Sequence, residues 1–146
     1  MEETLFRGML FGLLKRDFDW RTAAVISALI YASVHFIDQK PTIDTISWSS
    51  GFTAFPQFIH DFKNDPHWPA YYSNMILAGL ILAGVLQRTG NIYCSIGIHA
   101  GWIIALKTNG FLTHPINTHV LCGKDRTSDG WVATPLLGVM AWYILY

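Results

Sequence analysis

A chain of 146 residues in which 51% are hydrophobic and 14% charged is too apolar for an ordinary soluble domain, where roughly 25% of residues carry charge. Ten Lys and Arg balance ten Asp and Glu, and no basic run supplies the field that a phosphate backbone requires, which argues against nucleic acid as a partner. Two cysteines, Cys94 and Cys122, with no C-x-x-C spacing, exclude a disulfide framework.

These features point to membrane lipid as the surroundings of one domain spanning residues 1–146. Five apolar segments are predicted as helices, at 3–15, 20–37, 71–87, 91–107 and 131–146. The expected fold is therefore all-α: a polytopic, multi-pass transmembrane bundle of four to five helices. Several segments fall short of the ~20 residues of a perpendicular span, which favours a thin or tilted bundle.

The first segment opens with Glu2 and Glu3, so it lacks the basic region of a cleavable signal. The Met1 amine would add another charge beside Glu2 at membrane depth, and upstream helices are expected to precede this chain. Lys15, Arg16 and Arg21 flank the first connection and Arg88 the third, which places both on the cytoplasmic side. Trp20, Tyr71, Tyr72, Trp131 and Tyr146 stand near segment ends, where amphipathic rings prefer the headgroup level. In the long connection 38–70, Phe55, Phe58, Ile59 and Phe62 recur at helical spacing, either as an interfacial helix or as a loop packed on the bundle. In the fourth segment Gly97 and Gly101 form a G-x-x-x-G that would let a neighbouring helix approach closely.

Three polar features interrupt this pattern: the Glu2, Glu3 and Arg7 group, His35, and His99. An ionisable side chain inside a membrane helix costs on the order of 2.5–3.5 kcal/mol on insertion scales, so each needs a partner. Glu3 and Arg7, four apart, share a helix face in the favourable acid-before-base order. The carboxylates could also simply favour a helix N-terminus, and either histidine could be a structural hydrogen-bonding residue. In a hairpin turning near residues 16–20, Glu2 and His35 both rise about 20 Å from the turn. His99 stands roughly 12 Å above Asn91, a level that agrees only if the helices are staggered or tilted. A carboxylate and two imidazoles converging from three helices would form either a general-base site with an oxyanion stabiliser or a metal site.

At these residues the sequence resembles the CPBP family, the CAAX proteases and bacteriocin-processing enzymes also called the abortive-infection (Abi) family. Its motifs are E-E-x-x-x-R, F-x-x-x-H and H-x-x-x-N. Residues Glu2 to Arg7 fit the first in full and are followed by a typical Gly8; Tyr31 to His35 fit the second with tyrosine for phenylalanine; His99 opens the third, whose asparagine is replaced by Ile103. The likeness runs from residue 2 to about 107. It implies a multi-pass intramembrane endopeptidase that cleaves a membrane-associated peptide or protein, such as a prenylated one, in the inner membrane if the cell is bacterial.

By the same resemblance Glu2 is the general base on a water shared with His35, His99 polarises the scissile carbonyl, and Arg7 holds Glu3. Ile103 cannot donate a hydrogen bond to an oxyanion, so Trp102, a water or another helix substitutes, or activity is reduced and the chain is an impaired membrane scaffold of the same fold. Metal stays open: Glu2, His35 and His99 could hold a divalent ion such as zinc with a free fourth position, and the same residues support a metal-free glutamate mechanism. Haem held between the two histidines would leave the Glu2, Glu3 and Arg7 group unexplained. His60, His67, His114 and His119 fall in connections and are read as solvated.

Overall fold

The computed structural model describes residues 2–37, 66–112, 121, 123 and 130–146. They form five helices, which we number α1 to α5. Helix α1 is π-wound over Thr4–Phe11 and continues as an ordinary α-helix over Gly12–Asp17; α2 is Trp20–Ile37, α3 Trp68–Thr89, α4 Ile92–Leu112 and α5 Ala133–Leu145. The expected segments all appear, with α3 starting earlier and α4 ending later than the apolar runs suggest. The interfacial helix expected within 38–70 lies outside the described residues.

Local chemistry sets the boundaries. Phe18 is extended and ends α1. Asp19 then accepts the Arg21 and Thr22 backbone N–H groups at 3.0 and 3.1 Å and the Thr22 hydroxyl at 2.6 Å, satisfying donors that the first turn of α2 leaves open. Pro69 occupies the first turn of α3, where its missing N–H is no loss. Gly90 closes the same helix at φ +64°, donating its N–H to the Leu86 carbonyl, a left-handed conformation that a side chain resists. The Asn91 side chain accepts the Tyr93 N–H and starts α4.

Helix α3 is the centre of the bundle and touches the other four. Its contacts depend on small residues. A Cβ on Gly79 would fall 2.9 Å from the Ala28 Cβ, and one on Gly84 would fall 2.5 Å from the Ile144 Cγ2. Ala23, Ala24, Ala28, Ala32, Ala78 and Ala83 line the same seams and are buried, whereas Leu5, Met9, Val34, Ile104, Leu136 and Trp142 face outward. Phe6, Phe11, Tyr31, Ile81 and Leu82 are buried as well, but the alanine-lined seams beneath so many exposed large apolar side chains suit helices packed by close backbone approach in lipid.

Among the described residues the expected G-x-x-x-G contact is not made: a Cβ on Gly97 or Gly101 would meet none of them within 4 Å, and both glycines are exposed. Close approach falls instead to Gly79 and Gly84, because α3 rather than α4 occupies the middle. Among the described residues α3 is the helix whose length and mean hydropathy, 1.5, suit a membrane span.

Buried polar side chains tie the helices together through backbone carbonyls. Ser27 of α2 donates to Phe6 of α1 at 3.2 Å, Ser95 of α4 to Leu82 of α3 at 2.9 Å, and Asn74 of α3 to Gly130 ahead of α5 at 3.1 Å. Lys15 donates to Gln87 at 2.6 Å, which puts the two basic turns at one end of the bundle.

Candidate active site

Helix α1 brings its acidic start to the inside of the bundle. A Cβ on Gly8 would stand 3.3 Å from the Ile92 Cδ1, so glycine there lets α1 lie close to α4. Glu3 and Arg7 are both buried, at 5% and 1% side-chain exposure, with Arg7 Nε 3.3 Å from Glu3 Oε2. The Arg7 Nε and Nη1 make no directed hydrogen bond; charge and ring contact hold the guanidinium in place. It lies 4.3 Å from the Tyr31 ring centroid, and its Nη2 donates to the Gly79 carbonyl at 3.4 Å.

The second oxygen of Glu3 reaches α4. His99 Nδ1 stands 2.8 Å from Glu3 Oε1, and a carboxylate can only accept, so this ring nitrogen carries the proton. Glu3 thus lies between a guanidinium and an imidazole. The mismatch of level expected between His99 and the acidic pair is closed in the bundle. The π winding of Thr4–Phe11 works in that direction, since it rises less per residue than the α-helix assumed from the sequence.

Glu2 faces the other histidine. Its Oε2 is 3.4 Å from His35 Nε2, with side-chain exposures of 56% and 23%. His35 Nδ1 is 3.0 Å from the Tyr31 carbonyl oxygen, an acceptor, so Nδ1 donates and a neutral ring presents its lone pair at Nε2. Two acceptors, Nε2 and the Glu2 carboxylate, then stand side by side, close enough for one donor beside them to reach both. Water, with two O–H groups, can donate to both.

All five expected site residues are therefore drawn into two groups, Glu2 with His35 and Glu3 with Arg7 and His99. Tyr31 lies between them, a residue whose importance the sequence signalled only as the aromatic position of a motif. No three His, Cys, Asp or Glu side chains among the described residues converge as a metal site. One acid–imidazole pair in each group does not fit a three-ligand zinc centre at Glu2, His35 and His99, and we derive no step through a metal. Ile103 is 41% exposed. Trp102 turns toward a cleft of about 360 Å³ lined also by Asn74, Met75, Ala105, Leu106 and Leu136. Helices α4 and α5 pack mainly on α3 rather than on each other, and the cleft is the gap that remains. Cys94 is exposed, and His60, His114, His119 and Cys122 lie outside the described residues.

No curated protein and no solved structure matches the chain. The family model for type II CAAX prenyl endopeptidases, Rce1-like, matches residues 1–105, a span that holds α1, α2, α3 and the His99 turn of α4. With the motif residues inside that span, the chain belongs to the Rce1-like type II CAAX prenyl endopeptidase family, an integral membrane family of proteases.

Proposed function

We propose that this chain is a multi-pass intramembrane endopeptidase that hydrolyses a peptide bond in a membrane-associated, prenylated protein or peptide. The observation that carries this reading is the pair of acceptors at Glu2 and His35 beside a second imidazole whose Nδ1 is engaged by Glu3.

Water held by Glu2 and His35 attacks the scissile carbonyl as Glu2 removes its proton. The new C–O bond forms while the carbonyl electrons move onto oxygen. His99, held by its Nδ1–H bond to Glu3, turns Nε2 to that oxyanion and stabilises it when this nitrogen carries a proton. Collapse breaks the C–N bond, and the proton on Glu2 passes to the leaving amine. Donors fixed before the reaction contribute more than donors that must reorganise, and this is the service of Glu3 and Arg7. The cleft next to Trp102, one helical turn beyond His99, suits the apolar part of the substrate.

Cleavage of a farnesylated CAAX peptide by the purified protein tests the proposal, with Glu2→Gln and His35→Ala as the inactive controls. Full activity in both variants would eliminate this site. Ile103, lacking a donor, motivates a second reading, a non-catalytic scaffold of the same fold. Under it the wild-type chain cleaves nothing and Ile103→Asn restores cleavage.

A further inference from the structure

Tyr31 is 3% exposed, and its ring meets a side chain from each of the two groups described above. The Arg7 guanidinium carbon lies 4.3 Å from its centroid. The His35 ring lies 4.1 Å away at a 46° tilt, and the His99 ring stands edge-on at 6.4 Å and 82°. Phe6 supports it with an edge contact at 5.2 Å and 85°. Three helices, α1, α2 and α4, supply these neighbours. The hydrogen bonds and ion pairs, by contrast, stay within each group: Glu2 with His35, and Glu3 with Arg7 and His99.

We infer that Tyr31 is a positioning residue whose ring fixes the separation between the water-activating imidazole and the oxyanion-binding imidazole. The inference rests on the proposed function and deepens it. The ring is suited to the task because a guanidinium and an imidazole both pack favourably against an aromatic ring, and a planar group with two torsions has little freedom when its surroundings are filled. An aliphatic residue would fill part of the volume and supply neither the quadrupole that attracts Arg7 nor a flat surface for His35. The ring, and not the hydroxyl, makes all four contacts. The His35 bond to residue 31 uses its backbone carbonyl and survives any substitution there, so a change at the ring isolates the packing effect.

The test compares Tyr31→Leu with Tyr31→Phe. A misplacement of about 1 Å between reacting groups costs on the order of 10²-fold in rate, so Tyr31→Leu is expected to lower kcat about 100-fold with KM within about twofold. Tyr31→Phe is expected to rescue kcat to within about threefold of the wild type. Equal losses in both variants would assign the role to the hydroxyl and overturn the inference, as would unchanged kcat in Tyr31→Leu. A second measurement does not need cleavage. In ¹⁵N-histidine spectra of the micelle-bound protein, Tyr31→Leu should move the signals of both His35 and His99, and Tyr31→Phe should leave both in place. If only one imidazole responds, or neither, the inference fails even in a chain that cleaves nothing. An active wild type with Tyr31→Leu unimpaired sinks the inference alone; an inactive wild type sinks the proposed function and leaves the spectra to decide the role of the ring.

Discussion

Glu3 and His99 stand 96 positions apart in the chain and 2.8 Å apart in space, Oε1 to Nδ1. The contact joins the first helix to the fourth, and both reach it by resting on α3, where Arg7 donates to Gly79 and Ser95 to Leu82. Glu3 is also the anion for buried Arg7. Removing its charge should therefore damage fold and chemistry together.

Glu3→Gln leaves the guanidinium buried without an anion, an arrangement that costs roughly 3–5 kcal/mol. The double variant Glu3→Gln with Arg7→Met removes both charges and should be more stable than Glu3→Gln alone. Denaturant titration in micelles checks the order. If the double variant is the less stable of the two, the buried pair is not the source of the cost.

Glu2→Gln is the contrasting case. Its side chain is 56% exposed, so loss of charge should change unfolding stability by no more than about 0.5 kcal/mol. If Glu2 is the general base, as proposed, its replacement should lower kcat by about 10²–10⁴-fold. Circular dichroism melts and cleavage assays on one preparation separate the two effects. A large fall in melting temperature would reassign Glu2 to structure.

How far the sequence anticipates this arrangement differs from one feature to the next. The pairing of Glu3 with Arg7 follows from a spacing of four within one helix, and α2 begins at Trp20 because Asp19 caps it and a mainly apolar run follows. The π winding of Thr4–Phe11 has no counterpart in residue pattern, since it is a shift of backbone hydrogen bonds. The choice of Gly79 and Gly84 over Gly97 and Gly101 depends on which helix becomes central, and all four lie in apolar runs that read alike. The place of Tyr31 between two histidines needs three helices to be assembled first.

That difference among glycines can be measured. Gly79→Ala puts a methyl group 2.9 Å from the Ala28 Cβ and 3.0 Å from its Cα, so α2 and α3 must separate, at about 1–3 kcal/mol. Gly97→Ala meets nothing within 4 Å among the described residues and restricts the unfolded chain, which should stabilise by about 0.4–1 kcal/mol. Opposite signs in one unfolding assay are the expected result. Destabilisation by both would mean that α4 has a partner at Gly97.

Acid should loosen the turn between α1 and α2. The Thr22 hydroxyl and amide, with the Arg21 amide, hold the Asp19 carboxyl below its ordinary value. A depressed folded value means that the unfolded state binds protons first, so the stabilisation is present above the unfolded value near ~3.9 and is lost as pH falls through the folded value. Melting temperature should therefore drop below about pH 4 in the wild type, and Asp19→Asn should flatten that drop while keeping the cap. An unchanged acid limb in the variant would show that other carboxylates control it.

The cleft between α4 and α5 yields the last expectation. Ala105 lines it and is exposed, so Ala105→Trp can fill the gap without breaking the seams on α3. If the lipid part of the substrate lies there, displacing two methylene groups at about 0.8 kcal/mol each raises KM for a farnesylated peptide about tenfold. Because none of Glu2, His35 and His99 lines the cleft, kcat should stay within about twofold, a pattern expected when binding is lost equally from ground and transition states. A matching peptide without the isoprenoid should show the same KM in both proteins. A fall in kcat with KM unchanged would place the chain of the substrate elsewhere and make the cleft part of the structural frame around His99.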